Sequence, residues 1–110
     1  MDKIILSRFG FMQGRLSPIY NKKIQNFPWK HWKRELGLCK KIGLDRIEWT
    51  LDYPNLLKNP LICDPKGTYK FLKDKNIKMT SITCDFFMQK PFFLKNFINE
   101  KKIIEKIIYN

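Results

Sequence analysis

The amino-acid sequence predicts an α/β fold built on parallel strands, and three observations carry that expectation. Three short β-rich segments lie at 8–12, 45–50 and 77–84, each short and apolar or β-branched enough for a strand. Amphipathic helical segments separate them, marked by their own start and stop residues. Strand and helix then alternate to the end of the chain, the pattern of βαβ units whose right-handed crossovers build a parallel sheet.

The first strand is expected at Arg8-Phe9-Gly10-Phe11-Met12, an apolar and aromatic run suited to burial on both faces, closing near Gln13 where Gly14-Arg15-Leu16-Ser17-Pro18 supplies turn residues. After a polar loop, Pro28 suits the first turn of a helix in which Trp32, Leu36, Cys39 and Ile42 recur at spacings of three and four. Gly43 fits the left-handed position that stops such a helix. Asp45-Arg46-Ile47-Glu48-Trp49-Thr50 is the second strand, followed by the turn-rich Leu51-Asp52-Tyr53-Pro54-Asn55.

Asp64 followed by Pro65 reads as an N-cap with proline at the first helical position, opening a helix through Tyr69, Leu72 and Lys75 that Asn76 ends. Ile77 to Cys84 is the third strand, with Asp85 at its C-terminal end. A polar and aromatic loop is expected from Phe86 to Lys95. Asn96 then caps a last helix with Phe97, Ile103, Ile104, Ile107 and Ile108 on one broad face.

The chain has 110 residues, enough for one domain, and its 44% hydrophobic content argues against disorder. The net charge of +12 raises the question of nucleic acid, which is bound by clustered Lys and Arg. Here the lysines are spread through every predicted helix and loop, in pairs such as Lys22-Lys23 and Lys40-Lys41. They read as a solvated surface, and a nucleic-acid role is disfavoured. Cys39, Cys63 and Cys84 form neither a metal-type pair nor a disulfide framework. They are expected to be small buried core residues in a reducing, cytoplasmic compartment. No segment has the apolar length of a signal h-region or a transmembrane helix, so no membrane role is expected.

Periodicity leaves the closure of the sheet open, although Gly10 and Gly14 do not make the glycine fingerprint of a dinucleotide-binding turn. Three stretches address it: Gly10-Phe11-Met12-Gln13-Gly14-Arg15-Leu16-Ser17-Pro18, Ile47-Glu48-Trp49-Thr50-Leu51-Asp52-Tyr53-Pro54 and Cys84-Asp85-Phe86-Phe87-Met88-Gln89. Together with Phe27-Pro28-Trp29 and Asn59-Pro60-Leu61, they resemble the sugar-phosphate isomerase/epimerase family of xylose-isomerase-like (β/α)8 TIM barrels from about Phe9 to Phe93. The resemblance implies the first three β/α units of a barrel that takes ~250 residues to complete. Residues 1–110 are accordingly expected to be a single N-terminal fragment of such a domain.

On such a barrel the loops after the strands form the mouth of the site. Gln13, Glu48 and Asp85 would converge there as hydrogen-bonding partners for sugar hydroxyls, with Trp49 or Phe86 as an apolar wall and Arg15 meeting a phosphate or carboxylate. The resemblance implies aldose–ketose isomerisation or epimerisation, in which a carboxylate moves a proton beside a carbonyl and a divalent metal polarises the adjacent oxygens. The family's metal ligands belong to later strands, so no metal ligand and no catalytic acid or base is assigned here. His31 is expected to be a surface or packing residue. The chain alone is expected to bind no metal, to be inactive, and to self-associate through open sheet edges. The alternative is a small basic module that binds nucleic acid or another polyanion.

Overall fold

The computed structural model describes residues 3–6, 8–19, 22, 26–53, 55–89 and 97–109. Its elements are α1 (Lys3–Leu6), β1 (Phe11–Met12), α2 (Trp32–Lys41), β2 (Arg46–Leu51), a 3₁₀ turn (Leu56–Lys58), α3 (Pro60–Cys63), α4 (Pro65–Asp74), β3 (Lys78–Cys84), α5 (Phe86–Gln89) and α6 (Phe97–Tyr109). The three strands form one parallel sheet in the order β1-β2-β3. Phe11 lies opposite Ile47 and Met12 opposite Glu48, while β2 pairs with β3 from Arg46 and Lys78 through to Leu51 and Cys84.

Parallel neighbours that follow one another in sequence need a crossover, and α2 and the α3–α4 run supply the two required here. Trp32 on α2 meets Trp49 of β2 at 5.7 Å and Phe71 of α4 at 5.3 Å, so both crossovers pack on the same face of the sheet. Ile47, Trp49 and Leu51, alternate residues of the central strand, enter that core together with Phe27, Leu36, Ile62 and Leu72. Glu48 and Thr50 belong to the opposite face, where Glu48 pairs in register with Ser81 and Thr50 with Thr83.

Both long crossover helices stop in the same way. After α2, the N–H of Gly43 donates to Lys40 O and that of Leu44 to Cys39 O; after α4, Asn76 donates to Lys73 O and Ile77 to Leu72 O. This is the paired hydrogen bonding of a Schellman motif, which requires a left-handed residue, and Gly43 and Asn76 have φ of 91° and 54°. The start of α4 is equally local: the Asp64 carboxylate accepts from Gly67 N, and Pro65 occupies the first turn.

Four expectations need correction. The first strand pairs only over Phe11 and Met12, because Arg8 and Phe9 donate to Ile5 O and Leu6 O and so extend the turn of α1. Pro28 precedes the helix: Phe27 is sunk in the core with its N–H on Asp52, and a turn closed by His31 N to Pro28 O delays α2 to Trp32. Ile42 is the C-cap and is half exposed. The segment after Asp85 begins as the helical turn α5, with Met88 and Gln89 both donating to Asp85 O. The 3₁₀ turn, α3 and α1 were not anticipated. Residues 90–96, including the expected cap Asn96, lie outside the described residues.

A side chain at Gly43 would sit in a disfavoured backbone region and press to 3.0 Å from Leu6 Cδ1. Gly43→Ala is therefore expected to lower stability by about 1–2 kcal/mol, read as a lower urea midpoint at unchanged slope. Asn76→Gly, at the matching position of α4, should stay within about 0.5 kcal/mol of the parent, because Asn already tolerates this conformation.

Candidate functional site

The C-terminal ends of the three strands gather the polar residues of the chain. Gln13 follows β1 directly: its N–H donates to Glu48 O at 3.0 Å, and its side-chain Oε1 accepts from Thr50 N at 3.0 Å. The amide thus continues the β1–β2 ladder with a side chain where the backbone has turned away. Thr50 returns a longer bond from its hydroxyl to Gln13 O. Because Oε1 must face the Thr50 donor, the orientation of the amide is fixed. That leaves Nε2 buried, with no hydrogen-bond partner among the described residues.

Glu48, half-buried, accepts a hydrogen bond from Ser81 Oγ at 3.2 Å across the β2–β3 pair. Asp85 is buried and follows Cys84, the partner of Leu51, so it stands level with Asp52 at the end of β2. Asp52 is itself buried, and its Oδ2 accepts from Phe27 N at 3.1 Å. Arg15 lies exposed on the turn after β1, one of its terminal nitrogens 3.6 Å from Met12 Sδ.

Trp49 occupies a different place from the other four. It is fully buried, tilted against Phe27 and edge-on to Trp32, with Nε1 donating to Asn59 Oδ1 at 2.9 Å. Asn59 Oδ1 also accepts from Leu61 N, capping α3, and its Nδ2 donates to Thr50 O. The sheet therefore brings Gln13 beside Glu48 in the middle of β2, leaves Asp85 further along beside Asp52, and places Trp49 in the core on the helix side.

The most demanding polar group was not singled out in the sequence. Glu35 on α2 is only 1% exposed, and its carboxylate accepts from Gly14 N at 2.7 Å, Leu16 N at 3.1 Å and Ser17 Oγ at 2.7 Å. It pins the whole turn after β1. Burial raises its pKa above the usual 4.5, against the opposing pull of the bonds from Gly14, Ser17 and Leu16. Gly14 is required for this grip: its φ is 97°, and a Cβ there would lie 2.5 Å from Asn26 O. The signal was in the spacing, since residue 35 falls within the apolar stripe of Trp32, Leu36 and Cys39.

Cys39 is buried, and desolvation lifts its thiol to about 11; burial also raises Cys84. Both are held as unreactive thiols. Cys63, expected in the core, is exposed, because it ends the short helix α3. Among the described residues no group of three or more His, Cys, Asp or Glu is arranged to hold a metal ion. Exposed lysines are distributed over α2, α4 and α6, for example Lys33, Lys70 and Lys102. No helix among the described residues is long and apolar enough to cross a membrane. Comparison of the chain with protein-family models, curated proteins and solved structures found no match.

Glu35→Ala strips the acceptor from three donors and is expected to cost on the order of 3 kcal/mol in urea unfolding. The raised pKa also sets a sign. Since the folded protein holds this proton more tightly than the unfolded chain, the contribution is fully present below pH 4.5 and is lost as pH rises through the folded value. Glu35→Gln should remove that slope from the pH dependence of the unfolding free energy.

Proposed function

We propose that the chain forms the first three β/α units of a xylose-isomerase-like barrel, and that its strand ends bind a sugar or sugar phosphate undergoing isomerisation or epimerisation. The observation that carries the reading is the state of Gln13. A buried amide with its oxygen committed to Thr50 and its nitrogen without partner or solvent is an unmet donor, which an oxygen acceptor would satisfy once the site opens to admit it. Sugar hydroxyl and carbonyl oxygens are such acceptors. Glu48, within β2 beside Gln13, and Asp85, just past the end of β3, are the acceptors this reading assigns to sugar hydroxyl protons.

Support also comes from the topology. Consecutive parallel strands laid side by side, with both crossovers on one face, match the start of a barrel, and the opposite face carries Glu48, Thr50, Ser81 and Thr83 where a barrel interior would lie. Arg15, on the turn after β1, lines the cleft beside α2 with His31 and Arg34 and takes no part in this site. In this reading the divalent metal is held by later strands of the barrel, and these three units orient the substrate. Trp49 supports the site from behind, through Asn59 and Thr50, and is not its apolar wall.

The test is a ¹⁵N–¹H spectrum of the 110-residue chain titrated with D-fructose and with D-fructose 6-phosphate. Amide shifts are expected at Gln13, Glu48, Thr50, Ser81 and Asp85. Glu48→Gln is expected to weaken them about tenfold while changing stability by less than about 0.5 kcal/mol. Both sugars leaving these amides unmoved would count against the reading.

A further inference from the structure

Two clefts open on the helix side of the turn that Glu35 pins, away from the sheet face that carries Glu48 and Ser81. One, of about 360 Å³, is lined by Arg15, Ser17, Pro18, His31, Arg34 and Glu35. The other, of about 380 Å³, is walled by Trp29 with Pro28, Ile19 and Pro18. The clefts share Pro18 and His31, so they adjoin, and together they make a groove with a cationic half and a mainly apolar half in which Lys30 and Asn55 also take part.

We propose that this groove is a second ligand site, for a small phosphate monoester that carries a flat ring. Two guanidiniums converge on the cationic half from separate elements, Arg15 from the turn after β1 and Arg34 from α2, and forked guanidinium donors match phosphate oxygens. His31 is the N-cap of α2 but makes no side-chain capping bond, which leaves its ring to the groove. Glu35 also lines this half, with its oxygens bonded to Gly14, Leu16 and Ser17, so two guanidiniums face one carboxylate already engaged by three donors.

In the apolar half, Trp29 is half-buried and rests edge-on against Phe27 at 4.8 Å, a support that keeps its ring in one orientation. A rigid indole beside two prolines offers a stacking surface at small entropic cost. Either half alone is a weak determinant. A molecule with an anion and a ring joined at the span of His31 engages both, so the second contact is intramolecular.

Adenosine 5′-monophosphate, adenosine and inorganic phosphate are the probes, each titrated into the full chain and followed by ¹⁵N–¹H spectra. The monophosphate should shift amides of residues 15–17 and 29–34 and bind at least about tenfold more tightly than either part. Arg34→Glu should weaken it about tenfold or more with spectral dispersion retained, and Arg34→Gln reads the same position should the charge reversal perturb folding. Phosphate binding as tightly as the monophosphate would remove the ring half of the proposal, and adenosine doing so would remove the anion half. Shifts confined to other residues, or an Arg34 variant of unchanged affinity, would overturn it. These outcomes are separate from the sugar titration, which is read on Gln13, Glu48 and Ser81.

Discussion

The fold depends on burying one indole without orphaning its N–H. Trp49 sits at the middle of the central strand with no exposed surface, and burying its ring removes roughly 200 Å² from water, on the order of 5 kcal/mol as an upper figure. Its Nε1 would cost part of that gain if left unpaired. Asn59 prevents the loss and does more, since the same carbonyl oxygen caps α3 and its Nδ2 ties back to Thr50 O. Thr50 in turn holds the Gln13 amide. A packing requirement in the core is thereby linked, through four residues, to the orientation of the amide at the candidate site.

A second anchor operates on the other side of β1. Glu35 takes in three donors from the following turn, and the resulting cluster of bonds does for that loop what strand pairing does for the sheet. Between Glu35 and Gln13, β1 needs only two residues of true pairing to stay in place. The two anchors also divide the labour of the chain ends: one shapes the sheet face with Gln13 and Glu48, the other shapes the groove along α2.

Much of the architecture was legible because its determinants are local. Asp64-Pro65, Gly43 and Asn76 mark their helix ends through hydrogen bonds that span only a few residues, and the β-branched run of 77–84 has little choice but to extend. What escaped depends on distant partners. Glu35 stands in the apolar stripe of α2, but its partners Gly14, Leu16 and Ser17 are brought to it only by the fold, across about twenty positions of sequence. Asn59-Pro60 repeats the cap-and-proline logic of Asp64-Pro65, yet its weight comes from Trp49, ten residues earlier. Of the residues expected at the site, Gln13 lies beside Glu48 because β1 and β2 pair there, whereas Asp85 stands level with Asp52, beyond the end of β2. Trp49 turns inward because the alternation of β2 puts it on the same side as Ile47 and Leu51.

The pairing of β3 contains one irregularity: Ile47 faces Met79 and Glu48 faces Ser81, so Thr80 is an extra residue in the strand. An inserted residue bends and over-twists the strand that carries it. Because β3 lies at the end of the three-stranded order, that distortion falls on the border where an incoming flat strand from another molecule would have to register its peptide groups one by one. A bent, over-twisted edge is a poorer template for a flat incoming strand, and the exposed charge of Lys78 two residues earlier acts in the same direction.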